Sequence, residues 1–227
     1  MTGSGGIPPG SPISAAILAG GQSRRMGTDK ALLRLAPDGP TLLERVAAAV
    51  GAVAAETLLV ANDDRYASLG LRDLRTVPDA YPGAGALGGI YSAVAAAAHD
   101  HCLVVACDMP FLAVPLLRAL AAEPRDYDVL APYLPVAEGA ENRQSDAGGV
   151  YETLHALYGR GALPAMREQL DAGRYKIVGF FPQVHVRAYP VAAVRRHDPG
   201  LHSFFNVNTP ARLAEARALL AAGITGT

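Results

Sequence analysis

Cysteine is scarce: the 227-residue chain has two, and both stand in the apolar run CLVVAC. Cys102 and Cys107 differ by an odd number of positions, which on one strand points the side chains to opposite faces, so they cannot bridge each other. A reducing, cytoplasmic setting is the expectation. Excess charge is lacking too: 20 Lys and Arg against 21 Asp and Glu leave a formal net charge of −1. That balance removes the composition argument for nucleic acid or a membrane as a partner, and any anion site must be a local concentration of charge. No uninterrupted apolar run is long enough to cross a bilayer. The opening MTGSGGIPPGSP has neither the basic start nor the apolar core of a signal peptide. Residues 1–12 are expected to form a disordered tail. The six histidines show no zinc spacing, and there is no internal repeat.

What the chain has is hydrophobicity, half of its residues, with 18% charged. That suits one folded domain over residues 13–227, with a nucleotide-binding half (13–131) and an acceptor-binding half (132–227). Residues 13–19 are a short apolar run bounded by Pro12 and Gly20, which reads as a strand buried on both faces. Thr41 reads as the N-cap of a helix over 42–50. Strands at 57–61, 74–77 and 103–106 alternate with a short helix near 66–69 and an alanine-rich helix over 87–99. Beyond 127–131 the pattern loosens into a polar stretch at 138–146, the segment 151–158, a helix over 163–172, a strand-like VHVRAYPV and a last helix over 210–222. This alternation predicts an α/β fold, a mostly parallel sheet with helices on both faces and ligands at the carboxyl ends of the strands.

One such end carries LAGGQSRRMGTDKALL. Gly20 and Gly21 leave backbone N–H groups open to close approach, and Arg24, Arg25 and Lys30 add charge, a pattern that suits a triphosphate cradle. A flexible basic turn with solvated charges is the other reading. It is not a P-loop, because no Gly-Lys-Ser/Thr closes it. Asp108 ends a strand ahead of Met109 and Pro110. It suits either a Mg²⁺ ligand shared with substrate phosphates or a cap on the next helix. Gly83, Gly85 and Gly88 spell GxGxxG with Asp108 twenty residues on, which imitates a dinucleotide fingerprint. Yet Asp79 to Pro82 separate these glycines from their strand.

The form LAGGxSxRMGxDKxLL is complete at Leu18, Ala19, Gly20, Gly21, Ser23, Arg25, Met26, Gly27, Asp29, Lys30, Leu32 and Leu33. It resembles the signature of the molybdenum cofactor guanylyltransferases, a group of Rossmann-like nucleotidyltransferases with a three-layer α/β/α fold. Pro78-Asp79, GALGGI at 85–90, CDMPFL at 107–112, LHALY at 154–158 and FFNVNTPARL at 204–213 extend it along the chain. Two departures stand out: Gly85-Ala86-Leu87 replaces the usual Gly-Pro-Leu, and the polar stretch at 138–146 has no clear counterpart.

The resemblance implies transfer of GMP from GTP to molybdenum–molybdopterin, with release of diphosphate. It implies catalytic roles for Lys30, Arg25 and Asp108, with Mg²⁺ on Asp108. Leu18, Ala19, Gly20, Gly21 and Lys30 would hold the nucleotide. Asn62 and Asp79 would contact base or ribose, with surface capping a rival for Asn62. Asn206 and Asn208 would grip the pterin-bearing partner, where an Asx turn and an N-cap can hold as well. Transient contacts with cofactor-synthesis proteins or molybdoenzyme maturation factors would follow. Cytidylyl transfer to the same cofactor, nucleotidyl transfer to a sugar phosphate, and nucleotide binding without turnover are the alternatives.

Overall fold

The computed structural model describes residues 10–19, 29–62, 65–66, 69–71, 73–135 and 149–226. The expected tail up to residue 9, the glycine–arginine segment 20–28 and the polar stretch at 138–146 lie outside the described residues.

β1 (Ser14–Leu18) and β4 (His101–Ala106) are buried at every position. Their small and branched apolar side chains alternate between the two faces of the sheet. Ala15, Ile17, Leu103 and Val105 belong to one core cluster, and Ala16, Leu18, Cys102 and Val104 to the other. Cys102 thus lies in one core while Cys107 packs against the opposite one, and both are free thiols.

α1 (Leu42–Gly51), α3 (Val114–Ala122) and α5 (Val191–His197) cover the first face, and α2 (Gly85–Ala96) and α4 (Leu163–Asp171) the second. The expected three layers are present. α1 starts where expected, because Thr41 Oγ1 accepts from the Glu44 N–H and the Glu44 carboxylate accepts from the Thr41 N–H. This reciprocal box satisfies two otherwise unpaired donors. A third cluster of Leu35, Leu42, Phe111, Phe205, Val207 and Ala216 seats α6 (Pro210–Ala221).

β2 (Glu56–Val60) and β3 (Leu74–Val77) extend the sheet on one side of β1. On the other side the order continues through β4, β7 (His155–Gly159), β5 (Val129–Pro135) and β6 (Gly149–Tyr151), and β8 (Val186–Pro190) pairs with β5. Of these eight strands, β6 and β7 alone run against the rest. Segment 151–158 is therefore two strands joined by a turn rather than one element. The chain lays β2 and β3 to one side of β1, then returns with β4 on the other. That reversal of strand order opens a crevice at the carboxyl ends of β1 and β4.

Candidate functional site

A cleft lies at this reversal. Its floor is built from the strand ends Leu18–Ala19, Val60–Ala61 and Ala106–Cys107, with Asp29, Lys30, Asn62, Asp79 and Asp108 around it. The sequence expectations of Leu18, Ala19, Lys30, Asn62, Asp79 and Asp108 are thereby brought together. Gly20, Gly21 and Arg25 fall within 20–28, outside the described residues.

Lys30 opens a 3₁₀ turn over residues 30–32, and Asp108 follows β4. Lys30 Nζ donates to Asp108 Oδ2 at 3.3 Å, with side chains only 22% and 17% exposed. Asp108 does not cap the following helix: α3 has Ala113 at its N-cap and no side-chain cap bond. The helix-cap reading is thereby set aside for Asp108. Next to it, burial and the Asp108 carboxylate push the Cys107 thiol up to about 12. At neutral pH it remains a thiol and offers no thiolate nucleophile.

Asp29 stands just before Lys30 and is fixed from several directions. Its Oδ1 accepts the Ala31 N–H, and its Oδ2 accepts from the Tyr66 hydroxyl at 2.9 Å and pairs with Arg65 at 3.0 Å. The same hydroxyl lies 3.2 Å from the Ala19 carbonyl oxygen. Burial, then the Asp29 carboxylate, raise the Tyr66 pKa, so this phenol stays protonated and able to donate. Sequence reading missed Tyr66, since a tyrosine in a short turn carries no signal of its long-range partner.

Across the cleft, the Asp79 N–H donates to Asn62 Oδ1 at 2.8 Å. Asn62 therefore lines the cleft and also pins the loop that carries Asp79. Gly85, Ala86 and Gly89 form the adjoining wall, at the start of α2. That helix has no side-chain cap, and a helix N-terminus turned to a cleft favours negative charge.

The GxGxxG pattern serves packing here. Gly83 and Gly85 have φ of 90° and 65°, values that suit glycine. A Cβ at Gly88 would lie 2.8 Å from the Tyr81 carbonyl oxygen, so that glycine admits the neighbouring loop.

Asn206 and Asn208 do not line the cleft; they flank Val207, whose N–H donates to the Asp108 carbonyl at 2.9 Å. Asn206 Nδ2 donates to the Phe204 carbonyl, while Asn208 is exposed. The N-cap of α6 is Thr209, whose hydroxyl accepts from the Arg212 N–H. Leu154, at the turn before β7, reaches the cleft from the second half of the chain.

A magnesium ion takes few protein carboxylates and keeps water and substrate phosphate as its other ligands. Among the described residues no group of three or more His, Cys, Asp or Glu could hold a metal alone. Asp29, Asp79 and Asp108 all face the cleft; Asp108, the hard carboxylate beside Lys30, fits an ion of that kind. Among the described residues no helix is long and apolar enough to cross a membrane.

Known proteins resemble this chain in sequence and fold. The chain is 37% identical to the probable molybdenum cofactor guanylyltransferase of Pelotomaculum thermopropionicum, over 92% of this chain and 94% of that one. It is 31% identical to the molybdenum cofactor guanylyltransferase of Desulfosudis oleivorans, over 93% and 97%. Molybdopterin-guanine dinucleotide biosynthesis protein A of Archaeoglobus fulgidus superposes with a TM-score of 0.73 at 29% identity, over 92% of this chain and 99% of that one. The 2-C-methyl-D-erythritol 4-phosphate cytidylyltransferase of Thermus thermophilus shares the fold, with a TM-score of 0.67 at 21% identity over 93% and 100%. The model of the MobA-like NTP transferase domain matches residues 15–188, which include every strand that floors the cleft together with Lys30, Asp79 and Asp108, and the chain belongs to that family.

Proposed function

We propose that this protein transfers GMP from GTP to the terminal phosphate of molybdenum–molybdopterin, releasing diphosphate and forming the guanine dinucleotide. The observation that carries the reading is the meeting of Lys30 and Asp108 at the strand-order reversal, with Asp79 and Asn62 across the same cleft. A cation and an anion at one end and hydrogen-bonding groups at the other match a polyphosphate joined to a nucleoside.

The acceptor phosphate is ionised at neutral pH, so the reaction needs no strong general base. What it needs is in-line placement of two polyanions that repel each other. Lys30 would neutralise phosphate oxygens, with Arg25 and the Gly20–Gly21 backbone as further donors. Asp108 would hold Mg²⁺, which supplies charge neutralisation when bound. Asp79 and Asn62 would hold the nucleoside, and Asn206 and Asn208 the acceptor. The protein would act in the cytoplasm, in transient contact with cofactor-synthesis proteins or molybdoenzyme maturation factors.

The test is diphosphate release from purified protein with Mg²⁺ and molybdopterin, offered GTP or CTP. Release from GTP is the expected result. Preference for CTP would make it a cytidylyltransferase, and GTP binding without release would make it a carrier.

A further inference from the structure

Ser92 lies one turn beyond Gly88 on α2, on the same helix face, and is buried at 3% exposure. Its hydroxyl oxygen accepts the Ala80 N–H at 2.8 Å. Its single proton has two acceptors within reach, the Gly88 carbonyl oxygen at 2.8 Å and Asp79 Oδ1 at 3.2 Å. Asp79 Oδ1 also accepts the Tyr81 N–H at 3.0 Å. Among the described residues these bonds to the carboxylate all fall on Oδ1, which sets the rotation of the carboxylate within the cleft. Gly88 completes the seat: a Cβ there would stand 2.8 Å from the Tyr81 carbonyl oxygen and 3.1 Å from Asp79 Oδ1. Tyr81 closes the far side, edge-on to Tyr91 with ring centroids 5.2 Å apart and donating to Asp171 on α4.

We infer that Ser92, with Gly88 beneath the same loop, is a positioning residue that aims the Asp79 carboxylate at the nucleoside and so sets the grip on GTP. This rests on the reading of the cleft as a GTP site. Ser92 lines no part of the cleft and acts through Asp79. The carboxylate attracts the Ser92 proton more strongly than a neutral carbonyl does, so the hydroxyl can follow Asp79 while still holding the Ala80 N–H.

The experiment measures binding of GTP and of inorganic tripolyphosphate, which has no nucleoside, by calorimetry. The proteins are the parent, Ser92→Ala, Asp79→Ala and the double variant. Ser92→Ala is expected to weaken GTP about tenfold, the size of one lost hydrogen bond, and to leave tripolyphosphate within about twofold. In the Asp79→Ala background the same change is expected to matter less than about twofold, since interacting residues are not additive. Gly88→Ala keeps the hydroxyl but displaces the loop, so it is expected to weaken GTP selectively as well, and it carries the test if Ser92→Ala does not fold. Equal loss of both ligands, unchanged GTP affinity, or full additivity with Asp79→Ala overturns the role of Ser92. A parent that binds tripolyphosphate but not GTP overturns the reading of the cleft itself.

Discussion

Lys30 Nζ lies 3.3 Å from Asp108 Oδ2, across 78 residues of chain. The two meet because β1 and β4 are hydrogen-bonded neighbours in parallel register, Leu18 beside Ala106. Their next residues leave the sheet at one edge. A partly exposed pair of this kind contributes little to stability. Its consequence is placement, because it holds a cation and a hard anion at the one point where a polyphosphate and its metal would each need the opposite charge.

Lys30→Ala is expected to fold normally and to lower guanylyl transfer by about two to three orders of magnitude, the range for losing one preorganised charge-stabilising donor. Steady-state kinetics beside a thermal melt checks this. Near-normal turnover by a folded variant would remove Lys30 from the mechanism.

Asp108→Asn should act on metal use. An amide oxygen is a poorer ligand for Mg²⁺ than a carboxylate, so the variant should need more metal and remain slow at saturation. Magnesium titrations of activity distinguish the outcomes. A dependence identical to the parent's would mean that Asp108 serves only its pairing with Lys30.

Much of this site is legible in the sequence, for a physical reason. Strand ends beside glycines and charged residues are local features: Leu18 closes one run whose burial on both faces shows in its composition, Asp108 follows another, and Asp79 follows a short edge strand. The doubly covered sheet follows from the same runs. What sequence cannot show is pairing across distance. β7 slots between β4 and β5 in reverse, and only that insertion carries Leu154 to the cleft. Tyr66 and Ser92 look like ordinary turn and helix residues until Asp29 and Asp79 are seen beside them. α3 and α5 carry no such sign in the sequence: one has Pro115 in its first turn and no side-chain N-cap. The other follows β8 with no intervening loop.

Tyr66→Phe removes a hydroxyl that reaches Asp29 at 2.9 Å and the Ala19 carbonyl at 3.2 Å. These residues bracket segment 20–28, so the hydroxyl spans both ends of the expected phosphate cradle. The ring stays and keeps its packing, so the stability loss should be about 1 kcal/mol. KM for GTP should rise several-fold. Urea unfolding and kinetics on one preparation test the two together, and an unchanged KM would mean that the staple does not shape the cradle.

His155 predicts the behaviour in acid. It is fully buried on β7, against the Phe204 ring at 4.9 Å, with no partner among the described residues for either ring nitrogen. Burial lowers its pKa to about 4, against an opposing pull from Asp198. Below about pH 6.5 the unfolded chain binds a proton that the folded chain refuses, so stability falls with pH until the folded state also titrates near 4. The contribution is about 3 kcal/mol at full extent. His101, also lowered by burial, adds to the slope. Denaturant midpoints from pH 7.5 to 4 should flatten in His155→Leu, and an undiminished slope would assign the acid sensitivity elsewhere.

Asn206 and Asn208 separate two roles that the sequence runs together. Asn206 Nδ2 donates to the Phe204 carbonyl, and the Asn206 carbonyl accepts from Arg212 Nε. Only the first of these bonds is lost when its side chain is shortened. Asn208 is exposed, and its neighbour Val207 ties the segment to Asp108 through the 2.9 Å backbone bond. The loop should therefore keep its place in either variant. If Asn208 grips the acceptor, Asn208→Ala should raise KM for molybdopterin about tenfold, as one hydrogen bond predicts, while KM for GTP and the melting temperature stay at parent values. Asn206→Ala should raise the same KM but also cost some stability, because it removes a fold-internal bond as well. The two substrates varied in turn, with a melt for each variant, give the comparison. An Asn208→Ala enzyme indistinguishable from the parent on both substrates would move the acceptor contact away from this loop.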